Sequence, residues 1–176
     1  MPLDSRNSEA PAATYTVGPE TPGHDAEILA LTDRAFGPGR YVKTAERLRE
    51  GAKPLADMSF MASQDGRVVG SVRLWPIVVA DEAAGTFTRI AFLGPIVVDD
   101  AFRNVGLGKR LIRLSLEAAA QAGLRAVLLV GDATYFASSG FERAEGITLP
   151  GPVDTKRVLI HYTQAGDPLS GLVNRA

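Results

Sequence analysis

The chain has 176 residues, of which 45% are hydrophobic and 22% charged, a composition typical of one folded domain with a sizeable core. Nineteen Lys and Arg residues against twenty Asp and Glu give a formal charge of −1, which excludes a broad basic field for nucleic acid or an anionic membrane. The absence of cysteine excludes disulfides, thiolate catalysis and Cys-type zinc sites, and His24 and His161 lack metal-ligand spacing.

Residues 1–14 are rich in Pro, Ala and Ser and lack the charged start and apolar run of a secretory signal, so we expect a disordered lead. A single domain is expected over residues 15–176. No apolar run reaches the length of a membrane span. A soluble, cytoplasmic protein without a metal is therefore expected.

The N-terminal third predicts a short strand and two helices. The strand covers Tyr15–Val17. Helical spacing of apolar residues predicts a helix over Gly23–Phe36, which Gly37, Pro38 and Gly39 then end. A second short helix is expected over Thr44–Glu50.

The middle of the chain changes to a strand pattern. β-rich segments span Met58–Ser63 and Arg67–Val79, and the Asp65-Gly66 pair between them is typical of a hairpin turn. A third strand is expected over Thr86–Val98. These segments predict an antiparallel meander.

The C-terminal half alternates helix and strand. The pattern predicts a helix over about Gly106–Ala122, an apolar strand Ala126–Val130, a helical turn near Thr134–Ser138 and a strand near Val158–Tyr162. One apolar stripe of the long helix is expected to contain Leu107, Leu111, Leu114, Ala118 and Ala122, with Gly123 as the stop. Because strand, helix and strand imply a parallel crossover, the fold class is a mixed α/β sheet: an antiparallel meander followed by a parallel unit.

The stretch RNVGLGKRL places two glycines at the start of the long helix. The first N–H groups of a helix lack intrahelical partners, and with the helix dipole they attract an anion. Gly106 and Gly108 would let a phosphate approach the backbone, while Arg103, Lys109 and Arg110 add positive charge. The stretch lacks both G-x-G-x-x-G and G-K-[ST], which disfavours NAD and ATP.

The same stretch resembles the [R/Q]-x-x-G-x-[G/A] signature of the GNAT N-acetyltransferase superfamily, with Arg103, Gly106 and Gly108 in the signature places. The resemblance extends over Leu93–Phe141, where the strand, signature, helix and apolar strand are followed by an aromatic pair and Gly-Phe. The segment Leu149–Asp154 looks like that of a bacterial branch of predicted acetyltransferases.

The resemblance implies acetyl-CoA as the acyl donor. Its pantetheine arm would pair with the main chain of Ile96, Val97 and Val98, in a gap between that strand and Ala126–Val130. The diphosphate would lie on the signature loop, formed by Arg103, Asn104, Val105, Gly106, Leu107, Gly108 and Lys109.

The family's tyrosine that protonates the departing sulfur lies four residues before the glycine of Gly-Phe, where this chain has Phe136. Tyr135 is one position earlier, about 100° away on a helix, and would inherit the role only if the turn is rotated. Phe136 would then contact the pantetheine or the core. No carboxylate is positioned by motif as the base.

We therefore expect an enzyme that transfers an acetyl group from acetyl-CoA to a primary amine by direct attack, with both substrates bound. A non-catalytic acetyl-CoA-binding module and a transferase for a longer acyl group are the alternatives. The acceptor stays open among small metabolites, antibiotics, peptide N-termini and protein lysines, and the resemblance is compatible with a homodimer. Arg73, Trp75 and Arg89 could reach an acceptor pocket, although strand arginines are more often solvated.

Overall fold

The computed structural model describes residues 14–176, with the side chain of Val42 left out. Within that range a nine-stranded sheet is accompanied by four α-helices. The strands are β1 (Thr16–Pro19), β2 (Phe60–Gln64), β3 (Arg67–Asp81), β4 (Thr86–Val98), β5 (Ala126–Val130), β6 (Glu142–Arg143), β7 (Ile147–Thr148), β8 (Val158–Tyr162) and β9 (Gly171–Arg175). The helices are α1 (Asp25–Phe36), α2 (Thr44–Arg49), α3 (Leu107–Gln121) and α4 (Ala133–Ala137).

Most predicted elements lie where the sequence places them, and β4, β5 and β8 match at both ends. Helix α1 begins at Asp25 rather than Gly23, because Pro22–His24 forms a 3₁₀ turn first. Strand β2 begins at Phe60 rather than Met58 for the same reason, since Ala56–Met58 is also a 3₁₀ turn. The predicted disordered lead, residues 1–14, lies outside the described residues apart from Thr14.

The sheet order is β1-β2-β3-β4-β5-β8-β6, with β9 pairing with both β3 and β7. Strands β1 to β4 form the predicted antiparallel meander. Strands β4 and β5 are parallel, as the crossover through α3 requires. The fold class predicted from sequence is therefore confirmed.

The parallel pair is short, and this shapes the functional region. Only Ala91 and Phe92 of β4 pair with β5, opposite Val127 and Leu128. Beyond Phe92 the two strands continue without pairing. A bulge accompanies the separation, because two steps along β3, from Val72 to Leu74, correspond to three along β4. The sheet therefore opens into a cleft.

Helix α3 packs against one face of the sheet, with its buried stripe slightly rotated from the prediction. Leu107 and Leu111 are buried as expected, but Leu114 is only half-buried and Ala122 is exposed. The buried residues are Leu107, Leu111, Ile112, Ser115, Leu116 and Ala119. Both sets of positions follow steps of three and four residues, so each lies on one face, and the sheet contacts the neighbouring face that carries Ile112 and Leu116. Gly123 ends the helix in a left-handed conformation, φ 77°.

The opposite face of the sheet is covered in two places. Ile28 and Leu31 of α1 pack with Met61, Val68 and Val97. Leu48 of α2 joins a second cluster with residues of the sheet and of the C-terminal segment. Because helices cover both faces, β3 is buried almost continuously instead of alternating. No helix within residues 14–176 combines the length and apolar character needed to cross a membrane.

Candidate functional site

A cleft of about 1150 Å³ occupies the gap between β4 and β5. Its walls come from the second half of β4, the start of α3, the end of β5, helices α2 and α4, and the segment from Pro152 to Arg157. The two predicted halves of the site, the glycine loop and the strand before it, both line this space. The cleft therefore has one end at the N-terminus of α3 and another at α2.

The glycine loop leaves the N-terminus of α3 open. Gly106 adopts a left-handed conformation with φ 78°, and Asn104 has φ 63°. No side chain of the described residues caps this helix, and its first intrahelical bond to the loop runs from the N–H of Arg110 to the carbonyl of Gly106. The N–H groups of the first turn are therefore available to an anion.

Glycine is needed at position 108 for a different reason. A Cβ there would lie 2.7 Å from the hydroxyl oxygen of Tyr135 and 3.7 Å from the Cγ2 of Val98. Its φ falls outside the left-handed region, unlike that of Gly106. The sequence argument for positive φ thus holds for Gly106 alone, while Gly108 permits the close approach of Tyr135.

The rest of the predicted loop surrounds the same end of the cleft. Arg103, Asn104, Leu107 and Lys109 line it, whereas Val105 is 47% exposed and does not. Arg103 forms an exposed ion pair with Asp100, 2.9 Å between nitrogen and oxygen. An exposed pair of this kind is weak, so Arg103 can turn to a phosphate at small cost.

The predicted strand contacts lie along the wall of the cleft. Ile96, Val97 and Val98 all line it, and this part of β4 has no partner on the β5 side. The side chain of Val97 packs under α1, whereas the side chains of Ile96 and Val98 lie near Gly108. The β4 main chain can therefore pair with an extended ligand, as the resemblance implies.

Helix α4 carries the aromatic pair into the cleft. The side chain of Asp132 accepts a hydrogen bond from the N–H of Tyr135 at 2.8 Å and so caps the N-terminus of α4. Phe136 is 7% exposed and packs edge-on against Phe141, while Tyr135 is 43% exposed with Lys109 near its ring. Burial raises the pKa of the Tyr135 hydroxyl, so it carries its proton at neutral pH.

Tyr135 therefore faces the ligand space, and Phe136 belongs mainly to the core. The hydroxyl of Tyr135 lies beside the glycine loop, not at the α2 end of the cleft. This position is compatible with a contact to the phosphate or pantetheine part of a cofactor as well as with proton transfer.

The other end of the cleft contains a buried arginine that the sequence did not single out. Arg49, at the end of α2, has a side chain only 11% exposed and an ion pair of 3.1 Å with Glu46. Glu46 also accepts a hydrogen bond from Arg40 at 3.0 Å. Burial lowers the pKa of Arg49 to about 10. The i, i+3 spacing of Glu46 and Arg49 indicates a surface pair, and only the packed structure reveals the burial.

The three strand residues considered for an acceptor pocket have other roles. Arg73 is buried and binds Glu20 and Asp25, so it is neither solvated nor free for a ligand. Trp75 is buried and donates a hydrogen bond to the carbonyl of Gly94. Arg89 is exposed on the meander. None of the three lines the cleft.

Positive charge is concentrated in the cleft although the whole chain carries −1. Its basic lining residues are Arg40, Lys43, Arg47, Arg49, Arg103, Lys109 and Arg157. The acidic ones are Glu46, Asp132 and Asp154, and each already accepts a hydrogen bond from the protein. The cleft is therefore suited to an anionic ligand.

A mixed sheet whose parallel strands separate beside an uncapped, glycine-led helix agrees with the acetyltransferase resemblance noted in the sequence. The sequence profile described as the Acetyltransferase (GNAT) family matches residues 26–141, more than half of the chain, and the chain belongs to this family.

Two curated bacterial relatives are similar over much of the chain. The uncharacterized N-acetyltransferase YjhQ of Escherichia coli strain K12 is 28% identical over 121 residues, 69% of this chain and 66% of the relative, just under two thirds of its length. The uncharacterized N-acetyltransferase YhbS of the same strain is 29% identical over 126 residues, 71% of this chain and 70% of the relative.

Two solved structures resemble the whole fold. Escherichia coli YhbS in complex with CoA has a TM-score of 0.78 and 26% identity, and the match covers 94% of this chain and 92% of that one. A GNAT family acetyltransferase from Brucella melitensis in complex with acetyl-CoA has a TM-score of 0.70 and 25% identity, with 93% and 96% covered.

Proposed function

We propose that this protein is an N-acetyltransferase that moves the acetyl group of acetyl-CoA to a primary amine while both substrates are bound. One observation carries the proposal: the uncapped N-terminus of α3 lies beside an unpaired edge of β4, in one cleft. The complexes of YhbS with CoA and of the Brucella protein with acetyl-CoA support the choice of donor.

Each part of the cleft has a task in this reaction. The first N–H groups of α3, with Arg103, Asn104 and Lys109 around them, hold the diphosphate. The main chain of Ile96, Val97 and Val98 pairs with the pantetheine amides. An N–H of this strand also stabilises the negative charge that develops on the acetyl oxygen in the transition state.

The chemical step needs no covalent enzyme intermediate. The neutral amine nitrogen attacks the thioester carbon, the carbon–sulfur bond breaks, and CoA leaves as a thiolate that takes up a proton. The amine proton passes to solvent. We assign the proton donor to Tyr135, because its hydroxyl is protonated and faces the cleft, and we assign Phe136 to the wall behind the pantetheine.

The test follows thiol release from acetyl-CoA with a panel of amines, for the native protein and for Tyr135→Phe. If Tyr135 donates the proton, kcat falls about tenfold or more with KM for acetyl-CoA unchanged, because general acid catalysis contributes about 10²–10⁴-fold. If Tyr135 instead only contacts the phosphate or pantetheine, KM rises and kcat stays. Tyr162→Phe, outside the cleft, serves as the control.

The same assay separates the alternatives. Saturable acetyl-CoA binding without thiol release for any amine would favour a binding module that has lost turnover. A higher kcat/KM with propionyl-CoA or a longer acyl-CoA would instead favour the longer-chain transferase.

A further inference from the structure

We propose that Arg49 binds a carboxylate of the acceptor, so that the acceptor is a small amine that also bears a carboxylate group. This inference rests on the proposed function, since it names the substrate class of the same cleft. It is carried by the burial, the unused donors and the location of one guanidinium.

Arg49 is buried without the partners that a buried guanidinium needs. Its Nε has no hydrogen-bond partner within the described part of the chain, and its side chain is 11% exposed. Glu46, the carboxylate that pairs with it, is shared with Arg40. A buried charge with an unsatisfied donor is costly, so a contribution to stability does not explain this residue. A second anion in the cleft would offset part of that cost by pairing with Nη1.

The location of Arg49 fits the acceptor rather than the cofactor phosphates. Its Nη1 lies 3.4 Å from the position of a Cβ on Gly94, and its guanidinium is 5.9 Å from the ring centre of Phe92. Gly94 and Val98, the residue beside the glycine loop, are four residues apart on β4, which is about 13 Å at about 3.3 Å per residue. An anion on Arg49 is therefore well separated from a diphosphate on α3.

The surroundings of Arg49 leave room for one more negative charge. From the 3₁₀ turn Pro38–Val42 to the end of α2, the cleft is lined by four basic residues, Arg40, Lys43, Arg47 and Arg49, and by one acidic residue, Glu46. Asp33 is a further partner of Arg40 but does not line the cleft. A protonated amine without an anionic group would be repelled by this positive charge.

Guanidinium groups form strong, charge-assisted hydrogen bonds with carboxylates. With Nη2 directed at Glu46 and Nε enclosed by protein atoms, Nη1 of Arg49 remains as the donor for the ligand. A carboxylate bound by Arg49 beside Gly94 would place the amine of the same small molecule near the acetyl carbon, where β4 and β5 separate. Arg49 thus acts as a specificity-determining residue, and it takes no part in bond making.

The test compares matched acceptors that differ only in this group. Thiol release from acetyl-CoA is measured with the common L-amino acids, their carboxamides, simple alkyl amines and lysine-containing peptides. The native protein is expected to prefer carboxylates over their carboxamides by about tenfold or more in kcat/KM. Arg49→Met should lose about a hundredfold on carboxylates and little on carboxamides, as loss of a buried charge-assisted contact predicts.

Two variants control for a purely structural effect. Arg89→Met removes an exposed arginine outside the cleft and should change neither class of acceptor. Arg49→Lys keeps the charge and should restore part of the preference. The urea midpoint of Arg49→Met is expected to equal or exceed that of the native protein, because Glu46 keeps Arg40 as its partner. A large drop in that midpoint, with the acceptor preference retained, would assign Arg49 to structure and overturn the proposal.

The failure of this inference differs from failure of the proposed function. Turnover only of amines that lack a carboxylate would overturn the inference and leave the function intact. If acetyl-CoA binds but no amine causes thiol release, the proposed function is wrong. The role of Arg49 is then tested by the binding of acetylated products. In that case N-acetyl amino acids should bind the CoA-loaded protein more tightly than their carboxamides, in an Arg49-dependent manner. Equal binding of the two would overturn the inference.

Discussion

Gly106 and Gly123 are matched residues at opposite ends of α3. Both adopt left-handed conformations, φ 78° and 77°, and a Cβ on either would meet nothing within 4 Å. Only Gly106 lines the cleft. Substituting each glycine in turn therefore distinguishes the loss of stability caused by the backbone conformation, expected at both positions, from a loss of ligand affinity, expected only at Gly106.

At the residue scale, Gly106→Ala and Gly123→Ala should each lower the free energy of unfolding by about 1 kcal/mol, because alanine is disfavoured in the left-handed region. Urea titration measures this loss. Calorimetry with CoA should show an affinity loss of at least about tenfold for Gly106→Ala and none for Gly123→Ala. Equal CoA affinity in the two variants would contradict a phosphate site at Gly106.

Tyr135 and Phe136 illustrate how neighbouring residues diverge at this scale. Capping of α4 by Asp132 fixes where the helical turn starts, and the 100° step then directs Phe136 toward Phe141 and Tyr135 toward Gly108. Sequence alone identified the pair and the displaced tyrosine. It did not reveal which ring faces the ligand, because that depends on how α4 packs.

Helix α3 connects the core to the cleft at the scale of an element. Its N-terminal turn faces the ligand space, and its inner face packs on the sheet, where a Cβ on Gly70 of β3 would lie 3.1 Å from Leu107 and 3.2 Å from Leu111. The contact is so close that the position of the helix start is tied to the packing of the following turns.

Leu111→Ala should lower the free energy of unfolding by about 2–5 kcal/mol, because Leu111 is fully buried and the lost side chain leaves a cavity. Leu114→Ala should cost clearly less, since Leu114 is only half-buried. Chemical denaturation of both variants checks the order. The rotated stripe would be wrong if Leu114→Ala proved the more destabilising change.

The prediction of this stripe from sequence was partly wrong, for a physical reason. Leu107 and Leu111 were expected and are buried, but the alternatives further along the helix, Ile112 and Leu116 against Leu114 and Ala118, are all apolar. A pattern with apolar residues on adjacent faces does not decide which face turns inward. The sheet decides it.

At the scale of the whole molecule, the formal charge is −1, but the cleft is lined mainly by basic residues and attracts anions locally. Screening by salt weakens such an attraction. The CoA affinity of the native protein should therefore fall about five- to tenfold between roughly 50 mM and 500 mM NaCl. Calorimetry at several salt concentrations measures this change.

CoA at about 100 times its Kd should also raise the free energy of unfolding by about 2.7 kcal/mol, provided that it binds only the folded chain. Thermal unfolding with and without CoA gives this shift, and adenosine at the same concentration is the control without phosphate. An equal shift with adenosine would exclude the phosphates as the main point of attachment.

The sequence by itself determined the order of the main elements, their bounds to within about two residues, the parallel crossover and the glycine loop. These depend on local periodicity, turn residues and short motifs, which are properties of neighbouring residues. The short strands β6, β7 and β9 were missed, because two of them have only two residues each and their pairing comes from distant segments.

The tertiary structure alone decided the separation of β4 from β5, the close contact of Tyr135 with Gly108, and the burial of Arg49 at the far end of the cleft. Arg49 and Phe92 are 43 positions apart in the chain, and nothing near either residue encodes their contact. Burial and the choice of partner arise from packing across the whole molecule, which is why the helix mouth could be predicted from its own residues and the acceptor end could not.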